Sequence, residues 1–197
     1  MADNNGGFAA IIPFTMKWEG GLTDDAADSG GLTNFGVCAE FLKDCTRNHP
    51  AWLRAAGIPV TGGDRARIRA LTRANAEELF RQAFWLPYGL DALPVAVAAC
   101  VFDMNMNHGA GNAIRIAQKA CNLVLDGDPL LVDGKLGPKT RAALAELNSV
   151  EGIAALCGCR RDFYRRIVAN RPSQKVFLRG WTNRADALQE FAEGLLR

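Results

Sequence analysis

The sequence predicts a mainly α-helical fold. Two observations carry this: apolar residues recur at steps of three and four over most of the chain beyond Ala39, and Gly20 to Gly31 is a run of turn formers that cannot continue a helix. With 197 residues, about half of them apolar, the chain can bury one continuous core or two small lobes sharing one.

Phe8, Ile11, Phe14 and Trp18 recur at helical steps and predict an opening helix that runs to Trp18 or Glu19, with Pro13 within it. Gly20, Gly21, Asp24, Asp25, Asp28, Ser29, Gly30 and Gly31 then place Glu19 at a helix end, facing an irregular segment. Gly30-Gly31 with the stretch Leu32 to Val37 predicts a small β-hairpin, because glycine supplies the positive φ of a tight turn. Helices follow at about Ala39–Thr46, Asp64–Leu71, Ala74–Trp85, Pro94–Asn107, Gly111–Leu125, Pro138–Asn148, Glu151–Asn170 and Ser173–Leu196. Leu86-Pro87-Tyr88-Gly89 breaks this pattern and divides the chain into regions 1–88 and 89–197. Neither that break nor the loop Asp126–Gly137 has the composition of a flexible linker, so the two regions are expected to pack together.

Lys and Arg number 23 against 21 Asp and Glu, so bulk charge gives no reason to expect nucleic acid as a partner. The C-terminal part nonetheless gathers Arg160, Arg161, Arg165, Arg166, Arg171, Lys175, Arg179 and Arg184, which reads as a solvated basic face or as a surface for an anionic polymer such as cell wall. The start Met-Ala-Asp-Asn-Asn-Gly-Gly lacks the basic and apolar stretches of a secretory signal, and runs such as Leu93–Phe102 are too short to span a bilayer, so no integral membrane segment is expected. The six cysteines read mostly as reduced, small core residues. Cys157-Gly158-Cys159 lacks the second pair or the histidines of a zinc site, so no metal is expected.

Hydrolysis of a glycosidic bond needs an acid that protonates the leaving oxygen, and a carboxyl group in apolar surroundings can stay protonated near neutral pH. Glu19 fits, since it follows Trp18 on an apolar helix while the adjacent glycines leave room for a sugar ring. An inverting enzyme also needs a group that activates water from the opposite face. Asp28, nine positions on across a turn, can supply it, and the Thr33 hydroxyl can orient the water. From the residues alone the same pattern also reads as helix termination and turn chemistry. A Ca²⁺ loop of Asp24, Asp25 and Asp28 misses the EF-hand spacing and its terminal Glu.

The stretch Trp18-Glu19-Gly20-Gly21, then Asp28-Ser29-Gly30-Gly31-Leu32-Thr33-Asn34-Phe35-Gly36-Val37, resembles the Glu-Gly-Gly … Asp-x-Gly-Gly-x-Thr-Asn-x-Gly-Ile signature of glycoside hydrolase family 108, the lysozyme-like N-acetylmuramidases of phage endolysins and "secretion activator" proteins. The resemblance implies a lysozyme-like helical fold with a small irregular or β-hairpin segment near residues 20–37, and Glu19 as the catalytic acid. The order Glu19, Asp28, Thr33 is similar to the catalytic triplet of phage lysozymes. In the second half, Asp103, Asn107 and Gly109 resemble an Asp-x-x-x-Asn-x-Gly stretch of the family. Asp133-Gly134-Lys135-Leu136-Gly137-Pro138-Lys139-Thr140 looks like a loop of its predicted peptidoglycan-binding domain, and Phe163-Tyr164 and Phe177–Arg184 resemble its closing helices. Two departures stand out: Leu22 replaces the usual aromatic after Glu-Gly-Gly, and no proline lies between Gly21 and Asp28.

The resemblance therefore implies hydrolysis of the β-1,4 bond between N-acetylmuramic acid and N-acetylglucosamine, with Glu19, Asp28 and Thr33 catalytic and Asn34, Asp103 and Asn107 binding substrate. Beside this stand plainer expectations: Asp103 and Asn107 as a self-satisfied helix end, His108 as a helix C-terminal residue, Asp133 and Thr140 as helix caps, and Tyr164 and Trp181 as core. No cofactor is needed. The expected partner is the peptidoglycan glycan strand, met by a monomer that is made in the cytoplasm and reaches the wall by a separate route such as a holin. Two alternatives stand open: a non-catalytic wall-binding or secretion-accessory protein, and a lytic transglycosylase.

Overall fold

The structure, a computed structural model, describes residues 6–23 and 32–196, so Asp24, Asp25, Asp28, Ser29, Gly30 and Gly31 lie outside the described residues. Among the described residues it is mainly α-helical, with ten α-helices and one two-stranded sheet. The chain divides into two compact units, Phe8–Pro87, and Met1–Gly7 together with Tyr88–Arg197.

Helix α1 spans Gly6–Glu19 and continues through the exposed Pro13. It buries Phe8, Ile11, Ile12, Thr15 and Met16, the positions i, i+3, i+4, i+7 and i+8 that share one face of a helix. The expected stripe is therefore half right: Phe8 and Ile11 point inward, whereas Phe14 and Trp18 are only half-buried at its edge. After the hairpin come α2 (Ala39–Asn48), α3 (Pro50–Ala55), α4 (Asp64–Arg69) and α5 (Arg73–Phe80). Of these α3 has no counterpart in the sequence reading, since it is six residues long, opens on Pro50 and buries Leu53 alone, which leaves no period to see. The expected helix through Trp85 instead changes at Arg81 to a π turn, Arg81–Trp85. Trp85 is buried, edge-on to Phe8 with ring centroids 5.5 Å apart. Polar side chains knit this unit as well: Arg67, buried, donates to Pro59 O at 2.9 Å and to Asp64 Oδ1 at 2.6 Å, and Asn75 Nδ2 donates to Ala56 O at 2.7 Å.

The second unit is built on α6 (Val95–His108), whose residues Ala96 to Asn105 are all buried. A helix apolar on every side needs neighbours all round. Here they are α7 (Ala110–Val124), α9 (Val150–Asn170) and α10 (Lys175–Gly194), while α8 (Pro138–Glu146) packs on α7. Ser149 caps α9 by accepting from Gly152 N–H at 3.0 Å. Cys45, Cys100, Cys121 and Cys157 are buried thiols, and Cys38 and Cys159 are half-buried. No single described helix is long and apolar enough to cross a membrane.

Candidate active site

Glu19 is the last residue of α1, and Gly20, at φ +70°, turns the chain out of the helix. The segment beyond returns as an antiparallel bridge in which Thr23 N–H donates to Thr33 O at 2.9 Å and Thr33 N–H to Thr23 O at 3.0 Å. Thr33–Asn34 (β1) then pairs with Val37–Cys38 (β2), Asn34 opposite Val37, across a two-residue turn. Both turn residues, Phe35 at φ 49° and Gly36 at φ 81°, lie in the left-handed region that a type I′ hairpin requires. The hairpin expected from Gly30-Gly31 with the stretch Leu32 to Val37 is found at Thr33–Cys38, turning on Phe35-Gly36, while Gly30 and Gly31 lie outside the described residues. Its Phe-Gly pair lacks the Asn or Asp that marks such turns, and Phe35 carries the strain a side chain meets there, roughly 1–2 kcal/mol.

The turn is held against the candidate acid. A Cβ on Gly36 would lie 2.8 Å from Glu19 Oε2, 3.0 Å from its Cβ and 3.1 Å from its Cγ, so the glycine's bare Cα forms the surface on which the half-buried Glu19 side chain rests. The backbone after α1 thus fixes the acid by shape. Gly36→Ala is expected to lower stability by roughly 1–2 kcal/mol through the positive φ and to displace the carboxyl group. A shift of about 1 Å in a catalytic group can cost about 10²-fold in rate. Thermal melts together with an activity assay check this, and an alanine variant with unchanged melting and full activity would show that the contact does not position Glu19.

Strand alternation sorts the remaining predicted residues of this unit. Asn34 and Val37 face inward and are buried, whereas Thr33 and Cys38, also paired, face the other side and are half-buried. Asn34 was expected to bind substrate. Its amide instead donates to Ile68 O at 3.0 Å and Leu71 O at 3.4 Å, bracketing the end of α4 to the hairpin, and it is 5% exposed. Thr33 keeps an outward place beside the returning strand. Asp28 lies outside the described residues. Leu22, where the resemblance implied an aromatic, is 54% exposed.

Asp103 and Asn107 belong to the other unit, and Asp103 is corrected most sharply. It was expected to line a glycan cleft but is fully buried on α6, where Arg160 Nη1 of α9 donates to its Oδ2 at 2.7 Å and Arg184 Nη2 of α10 to its Oδ1 at 2.7 Å. Burial pushes its carboxyl up, but the two guanidinium groups outweigh this and hold it below the usual carboxylate range. Arg160 Nε also donates to Tyr164 Oη at 2.8 Å. Two of the eight residues read as a basic surface, Arg160 and Arg184, are thus interior. Two more pair locally, Arg161 with Asp186 and Arg165 with Asp162. Asn107 is exposed and donates back to Asp103 O at 2.9 Å, a helix end satisfied by its own side chain. His108 closes α6 with its ring against Phe163 and Tyr164, and burial, then Arg160, holds its imidazole down to about 3, which leaves it neutral. Tyr164 is core as expected, while Trp181, stacked on it at 5.3 Å, is half-buried.

A family model described as Glycosyl hydrolase 108 matches residues 12–109, a span that contains Glu19, Thr33, Asn34, Asp103 and Asn107. It runs through α6, which packs with α7, α9 and α10. A second model, described as Predicted Peptidoglycan domain, matches residues 112–186. Among solved structures, that of Brucella abortus SagA is similar at a TM-score of 0.71 and 27% identity, over 98% of this chain and 97% of that one. No curated protein matches.

Proposed function

This chain belongs to glycosyl hydrolase family 108 over residues 12–109 and carries a predicted peptidoglycan domain over residues 112–186, and from that premise we propose that it hydrolyses the β-1,4 bond between N-acetylmuramic acid and N-acetylglucosamine with Glu19 as general acid. Glu19 protonates the departing glycosidic oxygen. A water on the opposite face of the sugar, held by Asp28 and Thr33, attacks the anomeric carbon and inverts it. An inverting pair of carboxyl groups needs about 6.5–9.5 Å between them to admit that water, and Asp28 is the carboxylate assigned this part.

The observation that supports Glu19 most directly is its seating. It stands at the end of an amphipathic helix, against a glycine whose missing side chain leaves the carboxyl group its place. General acid catalysis by a carboxyl group needs no metal, because the side chain itself donates the proton. The enzyme meets the wall in the periplasm as a monomer.

Mass spectrometry of the products from purified peptidoglycan tests the reaction. Hydrolysis is expected to release muropeptides with reducing ends. Products lighter by one water would be anhydromuramic and would replace hydrolysis with lytic transglycosylation. Absence of soluble products alongside wall binding would favour the non-catalytic reading.

A further inference from the structure

In the second unit, the last turns of α7, the loop that follows it and α8 border an open cavity of about 800 Å³. The loop is held open by two amide side chains one turn apart on α7. Asn122 donates to Leu130 O at 2.9 Å and accepts from Leu130 N–H at 2.7 Å, while Gln118 donates to Asp133 Oδ1 at 2.9 Å and accepts from Gly134 N–H at 2.9 Å. Asp133 also accepts from Lys135 N–H at 2.9 Å, and Thr140 Oγ1 donates to Lys135 O at 3.3 Å. Asp133 and Thr140, expected as helix caps, are therefore the internal fastenings of a preformed cavity. Helix α8 itself starts on Gly137-Pro138 without a side-chain cap.

What these fastenings leave over is charge of both signs. Asp126, Asp128 and Glu146 line the cavity, as do Lys135 and Lys139, yet no salt bridge joins any of them to another. Carboxylates and ammonium groups that share a cavity without meeting leave a gap that a zwitterion can fill, each of its charges facing an opposite one. Between them stand aliphatic residues, among them Leu125, Leu130 and Leu131, and Leu131 on the rim is 78% exposed. No aromatic side chain is among the lining residues, so the face on which a sugar ring would stack is missing.

We propose that this cavity binds the peptide stem of peptidoglycan rather than its glycan strand, by the end of a diamino acid that carries a free ammonium and a free carboxylate on one carbon. Asp128 and Glu146 face the ammonium, Lys139 faces the carboxylate, and Leu131 covers the methylenes of the bound side chain. The proposal rests on the reading of this chain as a peptidoglycan-acting enzyme and assigns its second unit a separate task, holding the peptide while the other unit works on the sugar.

The test is titration calorimetry of the full chain with a synthetic, sugar-free stem tripeptide ending in meso-diaminopimelic acid. The same peptide acetylated on the distal amine and amidated on the distal carboxylate is the first control, and the peptide-free disaccharide is the second. The free peptide is expected to bind at least tenfold more tightly than either control, and the exposed charge reversals Lys139→Glu and Asp128→Lys are each expected to weaken it at least tenfold while melting temperature stays unchanged. Absence of saturable peptide binding, indifference to both reversals, or equal binding of the disaccharide would overturn the proposal. Wall clearing measured in parallel keeps the two readings apart. Clearing without peptide binding refutes the cavity and leaves the hydrolase, whereas peptide binding without clearing refutes the hydrolase and leaves the cavity.

Discussion

Glu19→Gln is expected to slow the clearing of purified Gram-negative peptidoglycan by about 10²–10⁴-fold, the range that a positioned general acid contributes. The substitution keeps the size of the side chain at the end of α1 and removes the carboxyl group that would donate the proton, so the variant should still fold. Its contacts with the bare Gly36 backbone are steric, and a carboxamide of the same size meets them equally well. A turbidity assay beside a thermal melt is decisive here. Equal clearing by wild type and variant refutes the assignment of Glu19, while loss of clearing with unchanged melting establishes a chemical role. The outcome also separates the enzyme from a wall-binding or secretion-accessory protein, for which the substitution would be silent.

The second large effect is on stability and arises far from Glu19 in sequence. Asp103→Ala is expected to destabilise the protein by about 3–5 kcal/mol, the cost of breaking a buried ion pair by removing one partner. That is roughly 6–20 °C in Tm for a chain of this size. Without the aspartate, Arg160 and Arg184 would face each other in the interior with no anion between them, and neither can shed its proton. Replacing the group as a whole, Asp103→Leu with Arg160→Met and Arg184→Met, is expected to recover a large part of the loss, since buried ion clusters often exchange for apolar packing at little cost. Melting curves of the single and triple variants read this directly. An Asp103→Ala variant that melts like wild type but loses affinity for glycan would restore the cleft-lining role that the geometry argues against.

The Arg160–Asp103–Arg184 cluster shows where reading along the chain stops. Asp103 stands 57 positions from Arg160 and 81 from Arg184, and nothing local joins them. Each residue alone reads as an ordinary charge at a helix position, so Asp103 passed for a cleft residue and the arginines for a solvated face. A signal was nevertheless present. Asp103 lies in a stretch that is otherwise apolar from Val95 to Met104, and a carboxylate on an all-apolar helix must find a buried partner or lose its charge. The cation-rich closing helices were the place to look for one.

The hairpin shows the same limit at short range. That a glycine turn follows Glu19 was legible, because glycine and aspartate clusters cannot continue a helix. That Phe35-Gly36 makes a tight turn was not, since the pair is a poor local match to the positive φ that both positions adopt. Only the pairing of Thr33 with Cys38 and the bridge from Thr23 make that conformation affordable. Asn34 was misread for a related reason: an amide in a motif looks available until the carbonyls of Ile68 and Leu71 are placed beside it.

By itself, the sequence determined the helical class, the approximate span of most of the long helices, the break after Trp85 and the position of Glu19 at a helix end. These follow from periodicity and from the conformational limits of glycine and proline, which act within a few residues. Only the tertiary structure decided that Gly36 seats the acid, that Asp103 is a structural anion and that Asp133 and Thr140 fasten a cavity. Each of those depends on groups that meet in space across long separations, and electrostatics, sterics and hydrogen bonding act on distance between atoms and not on position along the chain.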